Sequence, residues 1–291
     1  MKKIDVHVHT SMWGDALPSF TTPLATPEHT IERYKELNIE KGFIMPLLSP
    51  ESRNFVQSNE EIANVAEKYP DSFYWFCNID PRMSGNSSDA DLSKLLEHYK
   101  NRGAKGVGEV TANLYIDDPF VDNLFYHCAN ADMPVTIHIA PQKGVGYGVV
   151  DDLGLPRLEK ILKKYPGLKI LGHSQCFWSE ISTNVTEETR NGYPKGKVEE
   201  GSVIKLLRQY PNLYCDLSAG SGYNALSRDE DFAYKFIEEF ADRLLFGTDL
   251  YMPNQQSLLS GWLDKSYENG CISEENYKKI CRENAIKLFN L

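Results

Sequence analysis

Two histidines two residues apart, His7 and His9, lie in the short apolar run Ile4-Asp5-Val6-His7-Val8-His9-Thr10. In a β-strand, residues i and i+2 share a face, so both imidazoles project into one space. Neutral imidazole is the commonest protein ligand for zinc and similar metals, and two aimed together make half of a site. By itself the pair reads equally well as two hydrogen-bonded histidines of a strand. Other apolar runs also end in ligand-type residues, namely Gly108-Glu109, Ile137-His138, Gly172-His173 and Gly247-Thr248-Asp249. Converging carboxylates repel one another unless positive charge lies between them, and this set contains no Lys or Arg. A divalent metal supplies that charge. Imidazoles with carboxylates suit zinc, or manganese or iron.

The elements that must position these residues alternate along the chain. Strands are expected over 3–9, 42–48, 73–80, 104–110, 134–140, 168–173, 212–218 and 243–249. Helices are expected between them, over 30–37, 60–68, 92–102, 121–131, 155–165, 202–210 and 231–240. Several helices end in Tyr-Pro (Tyr69-Pro70, Tyr165-Pro166, Tyr210-Pro211), where proline stops the helix before the next strand. Near-continuous apolar strands imply a parallel sheet buried on both faces. Eight βα units in one chain predict an α/β fold, a (β/α)8 TIM barrel forming a single domain over 1–291. A doubly wound open sheet is the competitor, and it usually has a Gly-rich loop after strand one, which Thr10-Ser11-Met12-Trp13-Gly14 is not. The polar stretch 177–201 after strand six reads as a loop insertion at the C-terminal mouth of the barrel. Catalytic groups of such barrels sit at the C-terminal ends of several strands. His7 and His9, Glu109, His138, His173 and Asp249 all fall there. The remaining histidines (His29, His98, His127) fall in helical segments.

Bulk properties narrow the class. The chain has 291 residues, enough for a large buried core, with 41% hydrophobic and 25% charged residues. A formal charge of -10 without a basic block argues against a nucleic-acid surface. No apolar run reaches the roughly 18–20 residues of a membrane span, and Met1-Lys2-Lys3-Ile4 leads directly into a strand, without a signal-peptide pattern. The six cysteines form no CxxC pair, as expected of a reduced, cytoplasmic protein. A small-molecule substrate is expected, and a homo-oligomer is compatible with the sequence.

The order His-x-His, Glu, His, His, Asp on strands one, four, five, six and eight resembles the amidohydrolase superfamily. The segments 6–9, 171–174, 214–218, 245–249 and 283–289 are similar to those of its amidohydrolase-related group, which includes aminocarboxymuconate-semialdehyde decarboxylase. That resemblance implies His7, His9 and Asp249 as ligands of one metal and His138 as a further ligand. His173 would either bind a second metal or act beside the first as acid or base. Binuclear members of the superfamily place a bridging carboxylate or a carbamylated lysine at the end of strand four. Glu109 stands there, whereas Lys105 falls too early. The decarboxylase branch generally uses one metal and does not require this glutamate.

The resemblance therefore implies a metal-dependent hydrolase with one or two ions, acting on a small carboxylic ester, lactone or amide. A metal-activated water would attack, Asp249 would move its proton, and His173 would help to stabilise the oxyanion. The alternatives are a metal-dependent non-oxidative decarboxylase or hydratase of an aromatic or muconate-type acid, and a non-catalytic metal-binding protein. For substrate binding, the loops offer Trp13, Phe20, Tyr115, Tyr147, Trp178 and Tyr251 as ring-contacting aromatics. They also offer Arg82 as a clamp for a substrate carboxylate.

Overall fold

In the computed structural model, which describes residues 1–14, 23–52 and 55–291, eight parallel strands follow one another around a ring. They are Lys3–Val8, Ile39–Ile44, Phe73–Trp75, Val107–Val110, Val135–Ala140, Ile170–His173, Leu213–Asp216 and Leu244–Leu245, here strands one to eight. A two-residue strand, Val149–Val150, pairs beside strand five. Ladders join strands one to three and strands four to eight. The ring closes through single bridges. Cys77 pairs with Val107 between strands three and four. The Val6 N–H donates to Phe246 O (3.0 Å), the Asp249 N–H to His7 O (2.8 Å) and the His9 N–H to Leu250 O (2.9 Å), joining strand one to strand eight. The expected (β/α)8 architecture is thus present.

The expected helices form within a few residues of their bounds, with local causes. Pro27, Pro119 and Pro156 occupy first turns, and Thr26 and Asp118 accept hydrogen bonds from the first turns of their helices. Strand two begins earlier than expected, at Ile39, because the preceding helix stops at Glu36 and Asn38 turns with φ 55°. Its charged start, Glu40-Lys41, hid it. Helices Gln175–Ser179, Ala219–Ser227 and Leu258–Glu268 were not anticipated. The first of these shows that the stretch 177–201 begins in buried structure, with Phe177, Trp178 and Ser179 all covered.

Side chains in two shells hold the barrel. Ile4, Val6, Phe43, Met45, Phe76, Leu171 and Leu245 form an inner cluster. The terminal helix Asn284–Phe289 closes this cluster at its base, with the Phe289 ring 4.5 Å from that of Phe43 and 5.3 Å from that of Phe76. Burying such a ring contributes about 1.5–3 kcal/mol. A larger cluster fills the space between strands and helices. On strand one, Ile4 and Val6 join the inner cluster while Asp5 meets Tyr34 of the first helix. The register then shifts between Asp5 and Val8. An irregularity of this kind re-aims side chains. It lets His7 follow Val6 into the barrel, above the apolar floor.

Candidate metal centre

His7 and His9 meet as their spacing predicts, Nε2 to Nε2 at 3.1 Å. Asp249 Oδ1 lies 3.7 Å from His7 Nε2 and 3.5 Å from His9 Nε2. One ligand atom from each of these three falls within 4.8 Å of the others, and the same holds for Glu109, His138 and His173. Glu109 stands between the two groups. Its Oε1 is 2.7 Å from His138 Nδ1 and 3.8 Å from His173 Nε2. Its Oε2 is 3.7 Å from His9 Nε2 and 3.9 Å from His7 Nε2.

Backbone and buried carboxylates orient these side chains from behind. His9 Nδ1 faces Met45 O at 3.0 Å. His7 Nδ1 meets Asp216 Oδ2 at 2.6 Å. Asp5 accepts the backbone N–H groups of His7 (3.0 Å) and Thr248 (2.9 Å), the Thr248 hydroxyl (2.6 Å) and the Tyr34 hydroxyl (2.9 Å). One carboxylate therefore ties the first ligand strand to the last. Asp249 itself has φ 54°, in the left-handed region that costs a non-glycine residue energy. Its N–H to His7 O and the Gln255 amide on its carbonyl (2.8 Å) hold it there.

The charge balance of the site calls for a cation. Burial opposes ionisation of Glu109, yet His138, His7 and His173 hold its carboxyl well below the usual carboxylate range. Burial likewise opposes protonation of His7, but Asp216, then Asp249 and Glu109, carry it up to about 10. Burial together with the neighbouring His7 pushes His173 down to about 3. Among the described residues, the cations facing Glu109 and Asp216 are imidazoles alone. A cluster that draws a proton this strongly onto one histidine has a donor set that fits a divalent metal.

A cavity of about 250 Å3 opens onto this cluster, lined by His9, Leu24, Leu47, Glu109, Tyr147, Asp249 and Tyr251. The Tyr147 ring lies 4.3 Å from that of His138. Gly148, with φ +120°, lets this loop approach, since a Cβ there would come 2.5 Å from His138 O. All six residues expected as ligands come together. The four singled out for substrate binding do not line the cavity. Trp13 is 65% exposed and borders a separate groove with Ser58 and Lys68. The Arg82 charge is taken up by Asp80 (2.6 Å) and Glu51 (3.0 Å). Tyr115 carries the Arg157 guanidinium over its ring at 4.3 Å. Trp178 is buried and donates its indole N–H to Asp216 O (2.9 Å). Phe20 lies outside the described residues. Of the rim aromatics, Tyr147 and Tyr251 line the cavity. The residue passed over is Asp216. It lies at the end of strand seven as Glu109 does at that of strand four, and that position was the signal that marked the six candidates.

Comparison with known proteins adds the family. No curated protein matches the sequence. Among solved structures, an uncharacterised TIM-barrel protein from Bordetella bronchiseptica has a TM-score of 0.68 at 19% identity, covering 100% of this chain and 99% of that one. A probable 2-pyrone-4,6-dicarboxylic acid hydrolase from Acinetobacter baumannii has 0.61 at 16%, covering 100% of both chains. A dihydroxybenzoic acid decarboxylase from a Polaromonas species, with bound manganese and 2-nitroresorcinol, has 0.60 at 18%, covering 100% of this chain and 97% of that one. At such identities the likeness establishes the shared barrel fold. The amidohydrolase family model, in contrast, matches residues 4–291, and the chain belongs to the amidohydrolase family.

Proposed function

We propose that this protein is a metal-dependent hydrolase of a small carboxylic ester, lactone or amide. The observation that carries the reading is the placement of Glu109, with one carboxylate oxygen toward His7 and His9 and the other toward His138 and His173. His7, His9 and Asp249 would hold one ion, and Glu109, His138 and His173 supply the donors for a second. Zinc suits the donor set best, with manganese or iron as alternatives. A divalent ion in such a site polarises a carbonyl and brings the pKa of water toward about 7.

The protein groups then divide the work. Asp249 has 22% of its side chain exposed, and it lines the cavity with one oxygen toward His9 and the other toward His173. It is placed to take a proton from an attacking water and deliver it to the leaving group. His173, neutral at working pH because of its burial and the nearby His7, stands 3.8 Å from Asp249 Oδ2, where it would assist the proton transfer. Leu24, Leu47, Tyr147 and Tyr251 exclude water around the acyl group. The buried unpaired cysteines, Cys77, Cys128, Cys176, Cys215 and Cys281, support a reducing, cytoplasmic setting.

The test is turnover by zinc- or manganese-loaded protein on a panel of small lactones, esters and amides, alongside Asp249→Asn. The variant is expected to retain some metal and lose at least about 100-fold in kcat. Undiminished turnover by Asp249→Asn sinks the assignment. A second reading, a non-oxidative decarboxylase of an aromatic acid, draws support from the tyrosine walls of the cavity. Carbon dioxide release from such acids with one bound ion, and no hydrolysis of the panel, would replace the first reading with it.

A further inference from the structure

Asp216 gathers one imidazole from each cluster, His7 and His173, into a third close group. It lies on the far side of two imidazoles, facing their Nδ1 edges. Its Oδ2 is 2.6 Å from His7 Nδ1 and 3.5 Å from His173 Nδ1. Its Oδ1 accepts the Ser218 N–H at 2.9 Å, and its backbone carbonyl accepts the Trp178 indole N–H at 2.9 Å. The carboxylate is fully buried and has little freedom to turn. Gly247 packs so closely that a Cβ there would fall 2.7 Å from Asp216 Oδ1 and 2.8 Å from Ser218 Cβ. A buried carboxylate held in this way offers lone pairs only.

The consequence follows from which ring nitrogens face it. A bare imidazole nitrogen against a carboxylate oxygen sets lone pair against lone pair, so Nδ1 must carry the proton. For His7 the 2.6 Å contact leaves no alternative. For His173 the nearest partner is Ser218 Oγ at 3.0 Å, and a hydroxyl can donate or accept. The Asp216 oxygen 3.5 Å from Nδ1, closer than Glu109 and Asp249 at 3.8 Å from Nε2, breaks that tie in favour of Nδ1–H.

We infer that Asp216 is a positioning residue for two imidazoles at once, fixing a proton on Nδ1 of both His7 and His173 so that both Nε2 atoms face Glu109 and Asp249. His173 therefore enters the reaction as a ligand or base, and not as a proton donor. Of the roles that the sequence left open for that residue, this removes the acid. It also makes the two clusters interdependent, since a single carboxylate stands behind one imidazole of each. Outer hydrogen-bond partners of metal-binding histidines are commonly worth 10–100-fold in metal affinity. Here one substitution acts on both clusters.

This inference rests on the proposal that these imidazoles hold a metal, so its test begins with a measurement that needs none. Long-range proton–nitrogen NMR spectra of the full chain, with 15N-labelled histidine and without metal, report the tautomer of each ring. The His173 signals are assigned by their loss in His173→Asn. The expected result is His173 with a proton on Nδ1 and a bare Nε2, in the native protein and equally in Ser218→Ala. In the near-isosteric Asp216→Asn, the Nε2–H form is expected to appear. In competition with a chromophoric chelator, Asp216→Asn should bind zinc about 10–100-fold more weakly. Native protein with His173 protonated on Nε2 overturns the inference. So does a tautomer that changes in Ser218→Ala but not in Asp216→Asn, because the serine would then set it. A protein with the expected tautomers that binds no zinc would refute the proposed function and leave the role of Asp216 standing.

Discussion

Replacing Glu109 by glutamine removes one negative charge from the centre of the site while keeping its shape. The amide oxygen can still accept from His138 Nδ1, now 2.7 Å from Glu109 Oε1, so the ring should stay in place. What disappears is the charge 3.7 Å from His9 Nε2 and 3.9 Å from His7 Nε2, the atoms that would hold a cation. At about 4 Å and an effective dielectric of about 20, unit charges interact by about 4 kcal/mol. Water entry and adjustment of neighbouring carboxylates offset part of this. Even half of it, about 2 kcal/mol, weakens metal binding about 30-fold at either cluster. Both clusters should suffer, because Glu109 presents an oxygen to each. The assay is zinc competition against a chromophoric chelator, with metal content of the dialysed protein measured in parallel. The expected result is a drop from about two equivalents to one or fewer, with weaker retention of the remainder. A Glu109→Gln protein that keeps native stoichiometry and affinity would refute the central place given to this carboxylate.

Three other outcomes follow from the same geometry. Gly148→Ala puts a Cβ 2.5 Å from His138 O and 2.8 Å from its Cδ2, on a backbone with φ +120°. It should cost about 2 kcal/mol or more in chemical denaturation and displace His138, with loss of turnover. Tyr34→Phe takes one of four donors from buried Asp5 and should cost about 1–2 kcal/mol, with a native-like circular dichroism spectrum. Burial raises the Asp151 carboxyl from 3.8 to about 6, against the backbone N–H groups of Leu158, Arg157 and Asp152 that favour its ionised form. Between those values the folded protein holds a proton that the unfolded chain has lost. Stability should therefore fall as pH rises from about 4 through 6, by up to about 3 kcal/mol from this group. Denaturation of native and Asp151→Asn protein across that range, in chelator, should show a shallower slope for the variant. Parallel slopes would contradict the raised value.

The comparison of sequence and structure is uneven in an instructive way. All eight strands were legible because each is an apolar run bounded by turn residues, and buried parallel strands leave that signature whatever their neighbours. Seven helices were legible as amphipathic stretches between the strands, three of them ending in Tyr-Pro. The short helix Gln175–Ser179 was not, since five residues carry no period to read. The six candidate ligand positions were picked out by one rule, the polar residue at the C-terminal end of a strand. That rule also applies to Asp216, but its own segment does not reveal that its carboxylate serves His7, 209 residues away. The cavity lining was the least legible part: Trp13, Tyr115 and Trp178 share their aromatic type and loop positions with Tyr147 and Tyr251, and only the packing decides which of them line the cavity.

The sequence by itself determined the barrel and the six ligand-type residues at its mouth. Both are local properties, an apolar period for each strand and a residue type at its end, repeated along the chain. The tertiary structure alone decided where each of these side chains points. The register shift in strand one turns His7 inward, Glu109 comes to face two clusters, and Asp216 comes to stand behind two imidazoles. Those outcomes depend on how strands far apart in sequence close into a ring. Charges that meet only across that ring set the electrostatics of the site, and no single segment encodes them.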